Sequence, residues 1–165
     1  MSPEIPLIVE PARLAASGEH LKGQLRLTDL ERVSDLILNR DGTVKFDLTF
    51  MKDDQGMVNI IGQLSAQLTV RCQRCLNGMP IQVNSPIHVG VVDSPAQITE
   101  LPDVLEPVVA EEHKISIISL IEEELLLAMP LSPLHEPDEC SATKLIDELA
   151  VKKASPFAVL KDLKK

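Results

Sequence analysis

Two cysteines separated by two residues, Cys72 and Cys75, are the side chains of this chain best suited to share a metal ion. They follow residues 63–70, where apolar and polar residues alternate as in a half-buried strand. Asn77 and Gly78 then mark a turn, after which a second alternating run begins. Thiolates on a strand-to-strand turn suit metal binding, because free backbone N–H groups there can donate hydrogen bonds to sulfur.

A structural zinc site usually has four ligands, so two more must come from elsewhere in the chain. Cys140 is the remaining cysteine, and His135 lies five residues before it. The sequence therefore predicts a structural zinc site formed by Cys72, Cys75, His135 and Cys140. Two alternatives stay open: the cysteines are small buried apolar side chains, or the first two form a redox pair. A turn signal follows the pair, whereas a redox pair sits at a helix N-terminus that lowers the thiol pKa.

The overall composition predicts a soluble, cytoplasmic protein. The 165 residues are 44% hydrophobic, which is enough to bury a core. Three cysteines are too few for a disulfide scaffold and fit a reducing compartment. Residues 1–6 do not resemble a signal peptide, and no apolar run approaches the roughly 18 residues that cross a membrane. We expect one domain over residues 1–150 and a basic tail over residues 151–165.

Charge is distributed unevenly along the chain. Residues 93–149 carry 14 acidic and two basic side chains, whereas residues 151–165 carry five lysines and one aspartate. The acidic segment repels RNA phosphates, and the chain has no Trp or Tyr to stack on bases. Direct RNA binding by the folded body is therefore disfavoured. The acidic segment is either solvated or a docking surface for a basic protein.

Alternating patterns predict an α+β fold, with an antiparallel meander of four or five strands packed against a buried helix. The expected strands cover residues 21–27, 44–50, 57–70 and 81–92, with a break possible at Gly62 and a kink at Pro86. The first twenty residues and residues 93–113 are expected to be irregular.

Helical patterns occur mainly in the second half. The buried helix is expected from about residue 115 to Ala128, before Pro130, with the acidic run 122–124 facing solvent. Shorter helices are predicted at residues 29–36, after a capping box, and at residues 142–149.

The last eleven residues are typical of a short amphipathic helix. Ser155 is a suitable N-cap and Pro156 a suitable first helical residue. The side chains expected to bind a partner are Phe157, Leu160, Leu163, Lys161 and Lys164. Such a segment either binds a groove on a partner or packs on its own domain.

Enzyme motifs are missing from the sequence. It has no nucleophile elbow, phosphate-binding glycine loop, metalloprotease helix or dinucleotide fingerprint, and its four histidines are dispersed. We therefore expect a protein that is not an enzyme and has no small-molecule substrate.

Four motifs follow one another over about the last hundred residues of the chain. They are Arg71–Cys75, the EEELLLAMP stretch of residues 122–130, Pro133–His135 with Cys140, and Pro156–Leu160 followed by Leu163 and Lys164. In this order they resemble the bacterial YceD family of large ribosomal RNA subunit accumulation proteins. The resemblance implies a role in the synthesis, processing or stability of large-subunit (23S) ribosomal RNA.

Three functional hypotheses follow. The preferred one is a non-enzymatic ribosome-biogenesis factor whose partners are ribosome-assembly proteins or large-subunit precursors, with ribosomal RNA contacted at least indirectly and no membrane. The second is a direct RNA-binding module that uses Arg71, Arg74 and the lysines of the tail. The third is a thiol-disulfide oxidoreductase that uses Cys72 and Cys75.

Overall fold

A computed structural model describes residues 6–150 of the chain. Its strands are β1 (Ile8–Val9), β2 (His20–Arg26), β3 (Thr43–Lys52), β4 (Val58–Arg71), β5 (Gly78–Val92), β6 (Glu106–Val109) and β7 (Ile115–Ser116). Its helices are α1 (Pro11–Ser17), α2 (Ile117–Ala128) and α3 (Thr143–Ala150). The five strands from β2 to β6 form one sheet in sequence order, and β1 pairs with β7. The predicted α+β class is confirmed.

Four antiparallel strands, β2 to β5, form the body of the sheet as the alternating patterns predicted. β4 and β5 pair along their whole length, from Val58 opposite Val91 to Arg71 opposite Gly78. Gly62 does not break β4 and Pro86 does not interrupt β5, because both residues are paired within the sheet. Gly62 is required for close approach of the strands, because a Cβ there would clash with the carbonyl oxygen of Asp47.

The fifth strand of the sheet, β6, makes it mixed. It runs parallel to the end of β5, with Glu106 opposite Val89 and Val109 opposite Val92. Residues 93–113 were expected to be irregular, but they contain this strand and a 3₁₀ helix at Pro95–Glu100. Four residues are too few to show alternation, and Pro107 argues against a strand except at a sheet edge, where β6 lies.

The core forms where α2 packs against β4 and β5. Buried side chains alternate along the strands, and α2 contributes the fully buried Ile117, Ile121 and Leu125. Each such side chain stabilises the fold by roughly 1.5–3 kcal/mol. The predicted burial of this helix is confirmed.

Residues 6–20 are more ordered than expected. α1 begins with Pro11 and is capped by Gly18, whose φ of +64° is the left-handed conformation that glycine favours. β1 is held by β7, with Val9 opposite Ile115. The expectation of irregular structure was wrong because this pairing joins segments about a hundred residues apart and leaves no local pattern.

The prediction of a helix at residues 29–36 is also wrong. A 3₁₀ helix at Leu27–Asp29 is followed by turns that bury Leu30 and Val33. The Glu122 carboxylate accepts hydrogen bonds from the backbone N–H groups of Arg32 (2.6 Å) and Val33 (3.4 Å). The N–H groups of this segment thus find their acceptor in a side chain about ninety residues away, and not in a local helix.

The acidic run of α2 does not face solvent as predicted. Glu122 and Glu124 are 6% and 7% exposed, and only Glu123 of the three is exposed. Burial raises the pKa of Glu124 to about 7, and the nearby carboxylates of Glu106 and Glu123 contribute in the same direction. Three consecutive residues span most of a helical turn, so a helix buried on more than one side must also bury some of them.

The predicted C-terminal amphipathic helix lies outside the described residues. The predicted division into a domain and a tail therefore stays a prediction. Within residues 6–150, no helix combines the length and the apolar character needed to span a membrane.

Candidate metal centre

The turn between β4 and β5 positions the first two cysteines. Its backbone is closed by hydrogen bonds from the Cys72 N–H to the Asn77 carbonyl (2.9 Å) and from the Leu76 N–H to the Cys72 carbonyl (2.9 Å). Leu76 has a φ of +63°, an uncommon conformation for a residue with a side chain. Both thiols therefore project from one rigid turn.

The proline-rich connection after α2 brings the second pair of candidate ligands to this turn. The Gln73 N–H donates to the Pro133 carbonyl at 2.8 Å, which attaches the connection beside the turn. The Cys140 N–H donates to the Glu136 carbonyl at 3.1 Å, so residues 136–140 form a turn of their own. We call residues 72–77 together with 133–142 the metal end.

The metal end brings together the four residues that the sequence singled out. One ligand atom from each of Cys72, Cys75, His135 and Cys140 lies within 4.8 Å of all the others. Two sulfur ligands of one tetrahedral zinc ion, each about 2.3 Å from it, would lie about 3.8 Å apart. The Cys75 Sγ lies 3.3 Å from the His135 Nδ1. This cluster can hold a metal ion.

The environment of Cys72 favours its thiolate. The side chain is fully buried, and that burial opposes ionisation. Backbone N–H groups oppose this effect: those of Arg74 and His135 each lie 3.5 Å from the Cys72 Sγ. Together with the Cys75 backbone they lower the pKa of Cys72 to about 5. A thiolate is the form that binds metal.

Cys140 is subject to the same opposing effects. Burial raises its pKa, but hydrogen bonds from the Ala142 backbone and from the Thr143 and Cys75 side chains outweigh burial, so the pKa lies below its ordinary value. Both buried sulfurs are thus prepared by donors from the surrounding chain to carry negative charge. Three sulfurs and one imidazole nitrogen form a donor set typical of structural zinc.

Hydrogen bonds around the cluster fix its two halves to each other. The Arg74 guanidinium donates to the Thr143 hydroxyl at 2.8 Å, at the start of α3. The Asn77 side-chain amide donates to the Ser141 hydroxyl at 3.3 Å. The metal end therefore joins the start of α3 to the turn between β4 and β5.

A family model described as "Large ribosomal RNA subunit accumulation protein YceD" matches residues 60–164. This span contains all four residues of the cluster. A protein of Haemophilus influenzae with the same description is 31% identical over 169 residues, covering 98% of this chain and 97% of the relative. The chain belongs to the YceD family. No solved structure matches it.

The YceD match extends into the tail, residues 151–165, which lies outside the described residues. The structure therefore places Cys72, Cys75, His135 and Cys140, but none of the tail residues expected to bind a partner. Sequence reasoning missed Glu122, whose carboxylate holds residues 32 and 33, since nothing in a surface-like acidic run indicates a buried acceptor.

Proposed function

We propose that this YceD protein is a non-enzymatic, cytoplasmic factor that supports the synthesis, processing or stability of 23S ribosomal RNA. The support is the full-length similarity to a protein described as a large ribosomal RNA subunit accumulation protein. The sequence carries none of the common catalytic motifs, and the acidic body suits contact with basic proteins better than with RNA. The proposed partners are ribosome-assembly proteins or large-subunit precursors.

The observation that carries the structural part of the proposal is the convergence of four ligand atoms within 4.8 Å. Cys72, Cys75, His135 and Cys140 would hold one zinc ion with a structural role. When bound, the ion would join the β4–β5 turn to the connection that leads to α3. Because all four positions of a tetrahedral ion would be filled by protein, no site would remain for a substrate.

The tail is proposed to make the contact with the partner. Its apolar positions Phe157, Leu160 and Leu163 follow a helical spacing, and Lys161 and Lys164 supply positive charge. In this proposal the metal end anchors α3, and α3 leads directly into the tail.

The alternatives find less support in the contacts. For direct RNA binding, the Arg74 guanidinium is already engaged by Thr143 at 2.8 Å. For thiol-disulfide exchange, the lowered pKa of Cys72 is suitable, but its side chain is fully buried and out of reach of a substrate disulfide.

Sedimentation of cell extract tests the function. The full chain should travel with large-subunit precursors, and a chain lacking residues 154–165 should stay at the top of the gradient. Replacing only Lys152 and Lys153 by alanine, which leaves the apolar stripe in place, is the control. If the truncated chain still travels with the precursors, the tail is not the contact; if the full chain never does, the proposed partner class is wrong.

Metal content tests the zinc site separately. Protein purified without chelator should contain about one zinc per chain, and Cys140→Ser should lose it. Glu139→Gln, at an exposed neighbouring position, should retain it. If the purified protein contains no zinc, and adding zinc does not change the amide hydrogen exchange of the metal end, the four residues pack together without a metal.

A further inference from the structure

An apolar groove lies beside the metal end and is open to solvent. Its volume is about 310 Å³, near the lower limit of the roughly 300–1,000 Å³ of ligand pockets. It is lined by apolar residues from three separate segments, namely Leu36, Leu38, Val70, Leu126, Met129, Pro130, Leu131 and Pro133, together with Asp35, Arg71 and Gln73.

The groove leaves large apolar side chains exposed. Leu36 and Leu38 are 51% and 47% exposed, and Leu131 is completely exposed. Single exposed leucines are ordinary on protein surfaces, but several converging on one concavity mark a binding surface. The groove therefore suits an apolar segment of chain.

The charge of the protein indicates which segment this is. Residues 1–150 carry 24 acidic and 11 basic side chains, whereas the tail carries five lysines and one aspartate. The lining holds one acidic and one basic side chain, Asp35 and Arg71, so the attraction for the tail comes from the acidic body around it and from the C-terminal end of α2, where unpaired carbonyl groups favour cations. The tail thus matches the body in charge as well as in apolar character.

α3 and the residues that follow it are short enough for the tail to reach the groove. Gln73 lines the groove, and its neighbour Arg74 contacts Thr143, the first residue of α3. The eight residues of α3 extend about 12 Å. Residues 151–156 can then span up to about 20 Å. Because the tail is tethered, its effective concentration at the groove is in the millimolar range, so even weak docking is populated.

We propose that residues 156–163 of the tail bind in this groove of the same chain, with Phe157, Leu160 and Leu163 against its leucines. The docked tail covers the exposed apolar surface in the free protein. A partner that binds the tail must first displace it, so partner binding uncovers the groove. This regulation refines the proposed function, but the docking itself is independent of it.

A tryptophan in the tail tests the docking. The chain has no Trp or Tyr, so Phe157→Trp introduces a single fluorophore that reports on the tail alone. The reference is a free peptide of residues 151–165 that carries the same substitution. In the full chain we expect the tryptophan to emit at shorter wavelength than in this peptide. We also expect acrylamide to quench it several-fold less. Emission and quenching identical to those of the free peptide would overturn the proposal.

Variants of the groove, made in the Phe157→Trp chain, show whether it is the docking site. Leu36→Asp combined with Leu131→Asp should shift the tryptophan fluorescence to that of the free peptide, and both positions are exposed enough to accept the change. Val104→Asp, at a residue 76% exposed outside the groove, is the matched control and should change nothing. Equal effects of the two changes would overturn the choice of site. Leu160→Asp combined with Leu163→Asp changes only the tail and should likewise shift the tryptophan fluorescence to that of the free peptide.

Dilution distinguishes docking of the tail on its own chain from docking on a second copy of the protein. Docking within one chain predicts that the protection of the introduced tryptophan does not depend on protein concentration. Protection lost on dilution would mean that another copy occupies the groove and would overturn the proposal. Sedimentation with ribosomal precursors is a different measurement, so either proposal can fail while the other stands.

Discussion

The sheet core and the metal end of this protein are held together by different interactions. In the core, strands β3 to β5 and helix α2 bury apolar side chains against one another over a continuous cluster. At the metal end, two short segments meet through three sulfurs, one imidazole and a few hydrogen bonds. We therefore expect the core to fold without the metal end, and the metal end to depend on the core and on its ligands.

The largest expected effect comes from placing a charge in the core. Leu125 is fully buried in α2, and Leu125→Asp should unfold the whole domain. An unpaired buried charge costs several kcal/mol, comparable with the roughly 5–15 kcal/mol that stabilise a domain. Circular dichroism of the purified variant measures this. Leu127→Asp makes the same change at a 66% exposed position of the same helix and should leave the melting temperature nearly unchanged. A folded Leu125→Asp variant would contradict the central role of α2.

Loss of the proposed metal ion should affect only the metal end. Cys75→Ser, or a chelator added to the unsubstituted protein, should speed amide hydrogen exchange in residues 72–77 and 133–142. Strands β3 and β4 should keep their protection, because their burial does not involve the ligands. If the strands lose protection to the same extent, the two regions fold as one cooperative unit and the contrast between them fails.

A smaller effect is expected at the contact that joins α2 to the loop after β2. Glu122→Ala removes the acceptor of the Arg32 and Val33 N–H groups. Leaving such donors buried without a partner costs about 1–3 kcal/mol each, less where water can enter. Urea denaturation should show this loss, and Glu122→Gln should recover part of it because its amide oxygen can accept. Equal stability of the Ala and Gln variants would show that the hydrogen bonds contribute little.

The smallest expected effect depends on pH. The pKa of Glu124 is raised to about 7 in the folded protein, above its ordinary value of 4.5. The folded state therefore holds this proton more tightly, and its contribution to stability is full below pH 4.5 and lost as the pH rises through 7. Glu124→Gln should then raise the melting temperature at pH 8 but not at pH 4.5. The gain is on the order of 1 kcal/mol once screening by water at the exposed Glu106 is included. Glu100→Gln, at an exposed position, is the control, and equal gains at both pH values would contradict the assignment.

Much of the sheet and the positions of the four candidate ligands could be predicted from local patterns. β3, β4 and β5 alternate over most of their length, because each has one face that is more buried than the other. The cysteine pair falls at a turn, and the only other cysteine had a histidine close by. These are signals that a few neighbouring residues carry.

The features that were missed depend on contacts between distant residues. β1 requires β7, β6 requires the end of β5, and the loop over residues 30–37 requires the carboxylate of Glu122. The groove was missed for the same reason, since Leu38, Leu126 and Leu131 meet only when the turn and the connection are in place.

The spacing of the metal end along the chain has a consequence during synthesis. Cys75 leaves the peptidyl-transferase centre 65 residues before Cys140, an interval of about 3 to 13 s at 5–20 residues per second. For that time the first two thiols are present without their completing ligands. A nascent chain halted before residue 135 has only two of the four ligands, so metal retention would distinguish chains that extend past Cys140 from shorter ones.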